Sequence, residues 1–244
     1  MTKIIIQDNI NPEEIKMTVL ISPSDFAFLY DQSKWGFYNK YKNGIKRPTV
    51  IMPKIFTLID HSFKESFLNQ NLYSICKDLP DATFRDADKW VVSKEISNPS
   101  FPDIKVQIRG KIDAVFAYPD ESFAIIDLKT SDVSDQYAEK YKRQLMAYSY
   151  AVKNPENSKA FHLDNLKNTG LLIFDPKKFH IDYNSKGGIK GDIRWLEYEL
   201  DLDGFESFIV DEVIPLLAGK EPAPTNEDPQ WEYLKQFGFE YVAD

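Results

Sequence analysis

The sequence predicts an α/β fold with an α+β tendency, in which helices are followed by a mainly antiparallel sheet that one long helix crosses. Apolar residues recur at helical spacing before residue 75 and again at 135–152. Between these segments, and at 170–200, short runs alternate apolar with polar residues or are apolar throughout, and turn residues bound them. The 244 residues are enough to bury one sizeable core around these elements.

Two helices are predicted near the N-terminus, after an edge strand or loose arm at residues 1–21. Ser22 can cap the first helix with Pro23 at its first position, and the Lys-Asn-Gly sequence after Tyr41 ends it. Pro53 opens the second helix. The apolar stripe of this second helix consists of Phe56, Ile59, Phe63 and Phe67.

Three strands are predicted in the middle of the chain. The first covers residues 89–96, the second covers 104–117 after a turn at 98–103, and the third covers 123–129 after a turn at 118–122. The third strand is apolar until its end, which is typical of a strand covered on both faces. If the second and third strands form a hairpin, their residues lie next to each other.

The following segment is predicted to contain a long helix and two further strands. Asp135 can cap this helix, which reaches about Val152. A buried strand follows at 170–174, and another strand alternates at 193–200. The stretch 175–191 between them is polar and contains glycine, so we interpret it as a loop.

The chain is predicted to close with one more helix. Asp203 can cap this helix, and Pro215 must bend or interrupt it because proline lacks the backbone N–H. The tail from Glu221 contains three further prolines and is predicted to be largely irregular.

The composition is that of a soluble globular protein, with 43% hydrophobic and 28% charged residues. No membrane span or secretory signal is evident, so we predict a cytoplasmic protein that does not bind a membrane. The single cysteine, Cys76, excludes an internal disulfide and a four-cysteine metal site. The net charge of -8 argues against sequence-independent binding of phosphate backbones, although bound cations offset the carboxylates of a metal site.

Asp127 and Lys129 are two residues apart at the end of the apolar strand, so their side chains point to the same face. Charged groups there are costly unless they pair or bind a ligand. A solvated ion pair would explain an isolated D-x-K sequence, but Asp113 near the end of the preceding strand adds a second carboxylate. Converging carboxylates suit Mg²⁺ or Mn²⁺, and a lysine beside them can orient a water molecule. This set is the minimum for hydrolysing a phosphodiester.

The long helix adds Gln144 and Tyr148, which are four residues apart and therefore on one face. A core tyrosine beside a solvated glutamine is the simplest interpretation of this pair. A buried glutamine, however, needs hydrogen-bond partners, and a phosphate or the lysine of the site would supply them.

Three motifs in this order resemble those of the RecB-like exonuclease branch of the PD-(D/E)xK nuclease superfamily. They are Gly110-Lys-Ile-Asp113, Asp127-Leu-Lys129-Thr and Gln144-x-x-x-Tyr148. The spacing also matches, with 13 residues between the two aspartates and 14 between the lysine and the glutamine. The resemblance covers most of the chain and implies a restriction-endonuclease-like core, with a mixed central sheet flanked by helices.

This resemblance implies a single nuclease-like domain over residues 1–244. Its catalytic core would span about 88–200, its helical N-terminal part about 22–75, and its closing helix and tail about 203–244. It implies that Asp113 and Asp127 bind Mg²⁺ or Mn²⁺, with the carbonyl of Leu128 as a further ligand.

The resemblance implies further that Lys129 is the catalytic lysine, and that Gln144 and Tyr148 contact the DNA strand or steady the lysine. Many relatives also bring a histidine from the second helix to the metal. Here the helical phase places Asp60 at that position and His61 one step around the helix. Either residue could be the ligand, and a solvent-facing His61 is equally compatible with the sequence.

Two departures from the family pattern affect the expected cofactors and partners. Many relatives hold an iron–sulfur cluster with four cysteines, which this chain does not have, so no cluster is expected. Trp35 and Trp231 are expected to pack at the corresponding positions. No G-x-x-x-x-G-K-[ST] motif is present, so ATP-driven unwinding would require a helicase or another repair or defence subunit.

The sequence therefore predicts a metal-dependent deoxyribonuclease that acts on single strands or ends in repair, recombination or defence. The alternative is a catalytically silent nuclease fold that serves as a nucleic-acid-binding or assembly module, which the acidic balance favours. A hydrolase of small phosphate esters is a third interpretation, but no motif of its own supports it.

Overall fold

The computed structural model of the chain describes residues 17–45, 53–131, 135–181, 186–225 and 228–236. Within these ranges, seven strands form one mixed sheet that helices flank, which confirms the predicted α/β fold class. None of the described helices is both long and apolar enough to cross a membrane. Most of the arm predicted at residues 1–21 lies outside the described residues.

The sheet contains β1 (Met17–Ile21), β2 (Thr83–Val92), β3 (Ile96–Ser97), β4 (Ile104–Ala117), β5 (Phe123–Thr130), β6 (Leu166–Ile181) and β7 (Gly187–Glu199). Strands β4 to β7 are successive neighbours, and β1, β2 and β3 all pair with β4. The pairs β1–β4 and β5–β6 are parallel, whereas the other pairs are antiparallel. Because a parallel pair needs a long crossover connection, the predicted long helix lies between β5 and β6 in the sequence.

The helices occupy both ends of the chain and the crossover. They are α1 (Pro23–Asp25), which continues as a π-helical segment (Phe26–Tyr30), α2 (Lys34–Lys42), α3 (Lys54–Phe67), α4 (Leu72–Ile75), α5 (Asp135–Lys153), α6 (Leu202–Phe208), a second π-helical segment (Ile209–Val213), α7 (Ile214–Ala218) and α8 (Pro229–Lys235). Helix α5 is the crossover and packs on the sheet together with α6 and α7.

The centre of the sheet is buried on both faces. On one face, side chains of β1, β4 and β5 pack against α5, the first π-helical segment and the closing helices. This cluster includes Ile21, Ile108, Ile112, Ile125, Tyr150, Phe205 and Ile209. On the other face, β2, β4, β5 and β6 pack against α3 and α4, through Phe67, Leu72, Phe84, Phe116, Ile126 and Leu172. The apolar β5 predicted from the sequence is therefore covered on both faces, as expected.

One edge of β4 contains a gap. β2 and β3 follow the other edge in nearly continuous register. On the gapped edge, β1 pairs with residues 104–108 and β5 pairs with residues 114–117, so residues 109–113 lie between them. At Gly110, a Cβ atom would lie 2.8 Å from ring atoms of both Pro23 and Tyr148. The missing side chain thus lets α1 and α5 approach the gap closely.

The predicted first helix is wrong as a single element, because it is divided in two. The π-helical continuation of α1 ends at Tyr30, and α2 begins at Lys34. Ser33 causes the division: its Oγ accepts a hydrogen bond from the N–H of Gly36 at 2.6 Å. A serine that caps a new helix satisfies the N–H groups that a continuous helix would otherwise bond internally.

The strand predicted at 89–96 starts earlier, at Thr83, and ends at Val92. A register shift between Phe84 and Asp86 breaks the alternation of side chains, and the polar residues that follow resemble a turn. The expected apolar–polar pattern is consequently hidden over the first half of β2.

The loop predicted at 175–191 is also wrong. β6 continues to Ile181 and β7 begins at Gly187, with Phe179 paired to Ile189. Beyond Asp175 the residues of β6 are exposed, so this part of the hairpin is a ribbon without a buried face. A strand that buries neither face has no apolar alternation, which explains why no strand was predicted over these residues.

The C-terminal predictions are partly confirmed. Pro215 interrupts the closing helix, since a π-helical segment separates α6 from α7. The cap of α6 is Asp201 instead of Asp203: Asp201 Oδ1 accepts from the N–H of Gly204 at 2.9 Å. Asp203 lies in the first turn of α6. Asp135 begins α5, but its side chain lies outside the described part of the chain.

The tail is less irregular than predicted, because α8 packs against α2. The rings of Trp35 and Trp231 contact each other edge to face, with centroids 5.6 Å apart, which confirms their expected packing. Ser33 donates a hydrogen bond to Asp228 Oδ2, and Trp35 Nε1 donates to Glu221 Oε1 at 2.5 Å. These contacts attach the tail to the N-terminal helices.

Gly170 on β6 lies against Trp195 of β7. A Cβ atom at position 170 would overlap the indole ring and come within 2.6 Å of the carbonyl oxygen of Leu196. Because a backbone atom blocks this space, we expect Gly170→Ala to lower the free energy of unfolding by about 1–3 kcal/mol. Urea denaturation would measure the change. An unchanged free energy of unfolding would mean that β7 can move aside without cost.

Candidate active site

The register of β4 and β5 brings Asp113 and Asp127 together. The last pair in this ladder is Ala114 with Ile126, so the next two residues, Asp113 and Asp127, are opposite each other where the strands separate. Asp113 Oδ2 accepts a hydrogen bond from the backbone N–H of Leu128 at 3.1 Å, which ties the side chain to β5 beyond the ladder. β4 and β5 therefore form the hairpin on which the predicted proximity of Asp113 and Asp127 depended.

Asp127 and Lys129 form an ion pair close to α5. Asp127 is 4% exposed, and Lys129 Nζ contacts its Oδ2. Burial raises the pKa of Asp127 above its ordinary value, and the charge of Asp113 adds to this effect, whereas Lys129 opposes it. Burial disfavours the charged form of Lys129, but Asp127, together with Tyr141 and Asp113, outweighs burial and raises the pKa of the lysine. The lysine therefore remains an ammonium beside the two carboxyl groups.

Helix α5 places Gln144 and Tyr148 next to the carboxyl groups. Gln144 is buried, and its Nε2 donates to Asp127 Oδ1 at 3.0 Å. Its Oε1 is buried without a hydrogen-bond partner, which is unusual for a buried amide oxygen. Burial raises the pKa of Tyr148, and the charges of Asp127 and Asp113 raise it further. The glutamine is thus not the solvated residue of the simplest interpretation.

Helix α3 contributes a lysine to the same cluster. Lys64 Nζ lies 3.3 Å from Asp113 Oδ1, 3.0 Å from Asp88 Oδ1 and 3.1 Å from Asp60 Oδ2. Asp60 therefore reaches the cluster through this ammonium. His61 is directed elsewhere, since its side chain is 69% exposed and pairs with Glu65 at 3.2 Å.

Lys64 and Asp88 belong to this cluster but were not predicted from the sequence. Asp88 lies opposite Asp113, because Ala87 pairs with Ala114 and Lys89 pairs with Ile112 on either side. Its φ of 56° is in the left-handed region, which aspartate tolerates better than most residues. One sequence signal was available for Lys64, which lies in the sequence between Phe63 and Phe67 of the apolar stripe of α3. A lysine that is buried beside such a stripe needs a charged or polar partner.

Asp113 and Asp127 fit a divalent cation. The ammonium of Lys64 stands in for a cation beside Asp113, so the local charges already favour positive charge at this point. Within the described residues, no group of three or more His, Cys, Asp and Glu side chains is arranged to hold a metal ion. Mg²⁺, however, is commonly held by one or two carboxylates with several waters, and this donor set suits that mode.

A sequence model of the PD-(D/E)XK nuclease superfamily matches residues 63–227. The chain belongs to this superfamily. The PD-(D/E)XK superfamily consists in general of metal-dependent nucleases, so the assignment implies nuclease-type chemistry, nucleic-acid binding and a divalent metal such as Mg²⁺. The matched segment includes the three motifs and begins just after Asp60 and His61.

No curated protein sequence matches the chain. A solved structure described as the crystal structure of SSO0001 is similar at 14% identity with a TM-score of 0.42, covering 87% of this chain and 80% of the other. The mixed seven-stranded sheet flanked by helices agrees with the restriction-endonuclease-like fold of PD-(D/E)XK proteins.

Proposed function

We propose that the protein hydrolyses phosphodiester bonds of DNA with Mg²⁺ or Mn²⁺, as a RecB-like exonuclease of single strands or ends in cytoplasmic DNA repair, recombination or defence. The observation that carries this proposal is the buried Asp127–Lys129 pair next to Asp113, with Gln144 bonded to Asp127. A purely structural role would not need two carboxyl groups and an ammonium at the end of a strand covered on both faces.

In this proposal Asp113 and Asp127 hold the metal, with the Leu128 carbonyl and Asp60 as further ligand candidates and His61 as a weaker one. The bound metal would lower the pKa of a water molecule and would stabilise the negative charge that develops on a phosphoryl oxygen. The N–H of Leu128 already holds the carboxylate of Asp113 in one orientation. This hydrogen bond determines the direction of the oxygen lone pairs that remain for a metal.

The remaining residues position the substrate and the nucleophile. Lys129 Nζ is an ammonium donor beside the carboxyl groups, where it can orient a water molecule and lie against a phosphoryl oxygen as negative charge develops. Gln144 fixes the orientation of Asp127 through Oδ1. The phenol of Tyr148 remains protonated because its pKa is raised, so it can donate a hydrogen bond to a phosphate.

The proposal is tested by incubating the protein with labelled linear single-stranded, linear double-stranded and circular single-stranded DNA, and with RNA of the same sequence. We expect cleavage of linear single-stranded DNA with Mg²⁺ or Mn²⁺, none with a chelator, and resistance of the circle, which has no end. Cleavage of the circle would overturn the exonuclease assignment. Absence of cleavage of every substrate with both metals would overturn the nuclease function.

A catalytically silent module that binds nucleic acid or assembles with a partner, such as a helicase, is the second candidate. One observation favours it: the Lys64 ammonium already pairs with the carboxylates of Asp60, Asp88 and Asp113 and occupies the position of a cation beside Asp113. A folded protein that binds single-stranded DNA but cuts no substrate would support this candidate over the enzyme.

A further inference from the structure

A groove opens at the gap in the edge of β4, and Tyr148 of the candidate active site is one of its lining residues. It has a volume of about 570 Å³ and includes Lys40, Trp90, Arg109, Lys111 and Tyr148 in its lining. Three of these five side chains are cationic and two are aromatic. The groove is therefore suited to an anionic ligand that also has flat apolar surfaces.

Three of the lining residues form one row on the surface of β2 and β4. Arg109 and Lys111 alternate with Gly110, so they point to the same face, and Trp90 is paired directly opposite Lys111. Trp90 is 61% exposed, and the guanidinium carbon of Arg109 lies 5.5 Å from its ring centroid. The arginine lies over the aromatic ring at a cation–π distance and leaves much of the indole accessible.

Exposed apolar side chains are common on soluble proteins, and one tryptophan alone would mean little. Here the tryptophan lies opposite Lys111, which ion pairs connect to Asp113 of the candidate active site. Lys111 Nζ lies 2.9 Å from Asp88 Oδ1, and Lys64 Nζ contacts the same oxygen at 3.0 Å. Lys64 in turn contacts Asp113, so a chain of ion pairs joins the groove to the cluster.

Tyr148 provides a second connection. It lines the groove and lies one helical turn from Gln144, whose amide donates to Asp127. Its ring packs where Gly110 leaves room, on the face of β4 opposite to Arg109 and Lys111, so the tyrosine lines the groove at the gap in the strand edge. The gap therefore lies between the surface that carries Trp90 and the tyrosine next to the carboxyl groups.

We propose that Trp90, backed by Arg109, is a stacking platform that holds an unpaired base of single-stranded nucleic acid entering the active site. This inference rests on the proposed nuclease function and specifies its substrate. The bases of a duplex already stack on each other, whereas an unpaired base has a free face for the indole. The guanidinium of Arg109 has N–H donors at its edge for the adjoining phosphate while its plane stacks.

Lys40 and Lys111 contribute charge, but each already has a carboxylate partner. Lys40 pairs with Asp25 and Lys111 pairs with Asp88. A phosphate must compete with these carboxylates, so we assign the main phosphate contact to Arg109 and the base contact to Trp90.

The base contact is tested with two oligomers of equal length, oligo-dT and a fully abasic strand with the same phosphates, bound in a chelator that prevents cleavage. We expect the wild type to bind oligo-dT roughly tenfold or more tightly than the abasic strand. Trp90→Ala should remove most of this preference and leave abasic binding unchanged. Tyr73→Ala, which removes a 44% exposed aromatic side chain on α4, is the control and should retain the preference.

The phosphate contact is tested by the salt dependence of binding. Arg109→Gln should lower the slope of log affinity against log salt by about 0.7, the loss of one single-strand phosphate contact. Trp90→Ala should leave the slope unchanged.

The stacking platform is overturned if Trp90→Ala prefers oligo-dT over the abasic strand as strongly as the wild type does. In that case, cleavage of DNA by the wild type would still support the nuclease function. Failure of the wild type to bind either oligomer overturns the platform and, together with no cleavage, the nuclease itself.

Discussion

Lys129→Met is expected to abolish metal-dependent cleavage while the protein remains folded. The substitution removes the ammonium but keeps most of the volume of the side chain. Removal of one group that stabilises developing charge costs on the order of 10²–10³-fold in rate, and more where the same group also orients the nucleophile. Burial already raises the pKa of Asp127, so this carboxyl group can take up a proton when its partner is lost.

Asp127→Asn should abolish cleavage as well, but with a different effect on stability. This variant leaves the ammonium of Lys129 largely buried without its carboxylate partner, and a buried charge without a partner is strongly destabilising. We therefore expect Asp127→Asn to unfold at a lower temperature than Lys129→Met. The comparison separates a loss of chemistry from a loss of structure.

The measurements are initial cleavage rates of linear single-stranded DNA and thermal unfolding of each variant. Lys167→Met is a matched control, because this lysine is 51% exposed at the start of β6, away from Lys129, and its contacts are with exposed Asp120 and the ring of Tyr118. Its cleavage rate should equal that of the wild type. Near wild-type cleavage by a folded Lys129→Met protein would show that this lysine is not part of the reaction.

The sequence was most informative where a buried element had a regular period. The β4–β5 hairpin followed from alternating apolar residues and a turn, and the period of two then required Asp127 and Lys129 to share a face. The spacing of Gln144 and Tyr148 required them to lie on one side of α5, and the structure brings Gln144 onto Asp127. Strong hydrophobic periodicity therefore positioned most of the candidate site.

The rest of the site depends on contacts between segments that are far apart in sequence. Lys64 and Asp88 meet Asp113 only because α3 packs on one face of the sheet and β2 pairs with β4 in one particular register. Neither segment has a pattern that specifies its partner. The platform formed by Trp90 and Arg109 likewise depends on that register, since the two residues are 19 positions apart in the chain.

Lys64→Met is expected to destabilise the metal-free protein and to strengthen its response to divalent cations. In the wild type, the ammonium pairs with the carboxylates of Asp60, Asp88 and Asp113 and reduces the repulsion between them. Breaking a fully buried ion pair costs about 3–5 kcal/mol, but solvent screens these partly exposed carboxylates, so we expect a loss of about 1–2 kcal/mol. For a chain of this size, that loss corresponds to a decrease of roughly 2–8 °C in the unfolding temperature.

The same substitution exposes the carboxylates to a metal ion, because the competing ammonium is gone. We expect the unfolding temperature of Lys64→Met to rise more with added Mn²⁺ than that of the wild type, since a ligand stabilises the state to which it binds more tightly. Lys54→Met is the matched control, because Lys54 is an exposed lysine at the start of the same helix. Lys54→Met should change neither the unfolding temperature in chelator nor the rise of that temperature with added Mn²⁺.

The double variant Lys64→Met/Asp113→Asn shows which carboxylate the metal uses. If the gain in stability with Mn²⁺ disappears in the double variant, the ion binds through Asp113, and Lys64 and the metal compete for one position. If the gain in stability with Mn²⁺ persists, the ion binds through Asp60 and Asp88 instead. Lys64 then competes with a metal at a site beside the catalytic one. Equal metal responses of the wild type and Lys64→Met would contradict the competition itself, and the lysine would then be a structural counterion that remains in place when the metal binds.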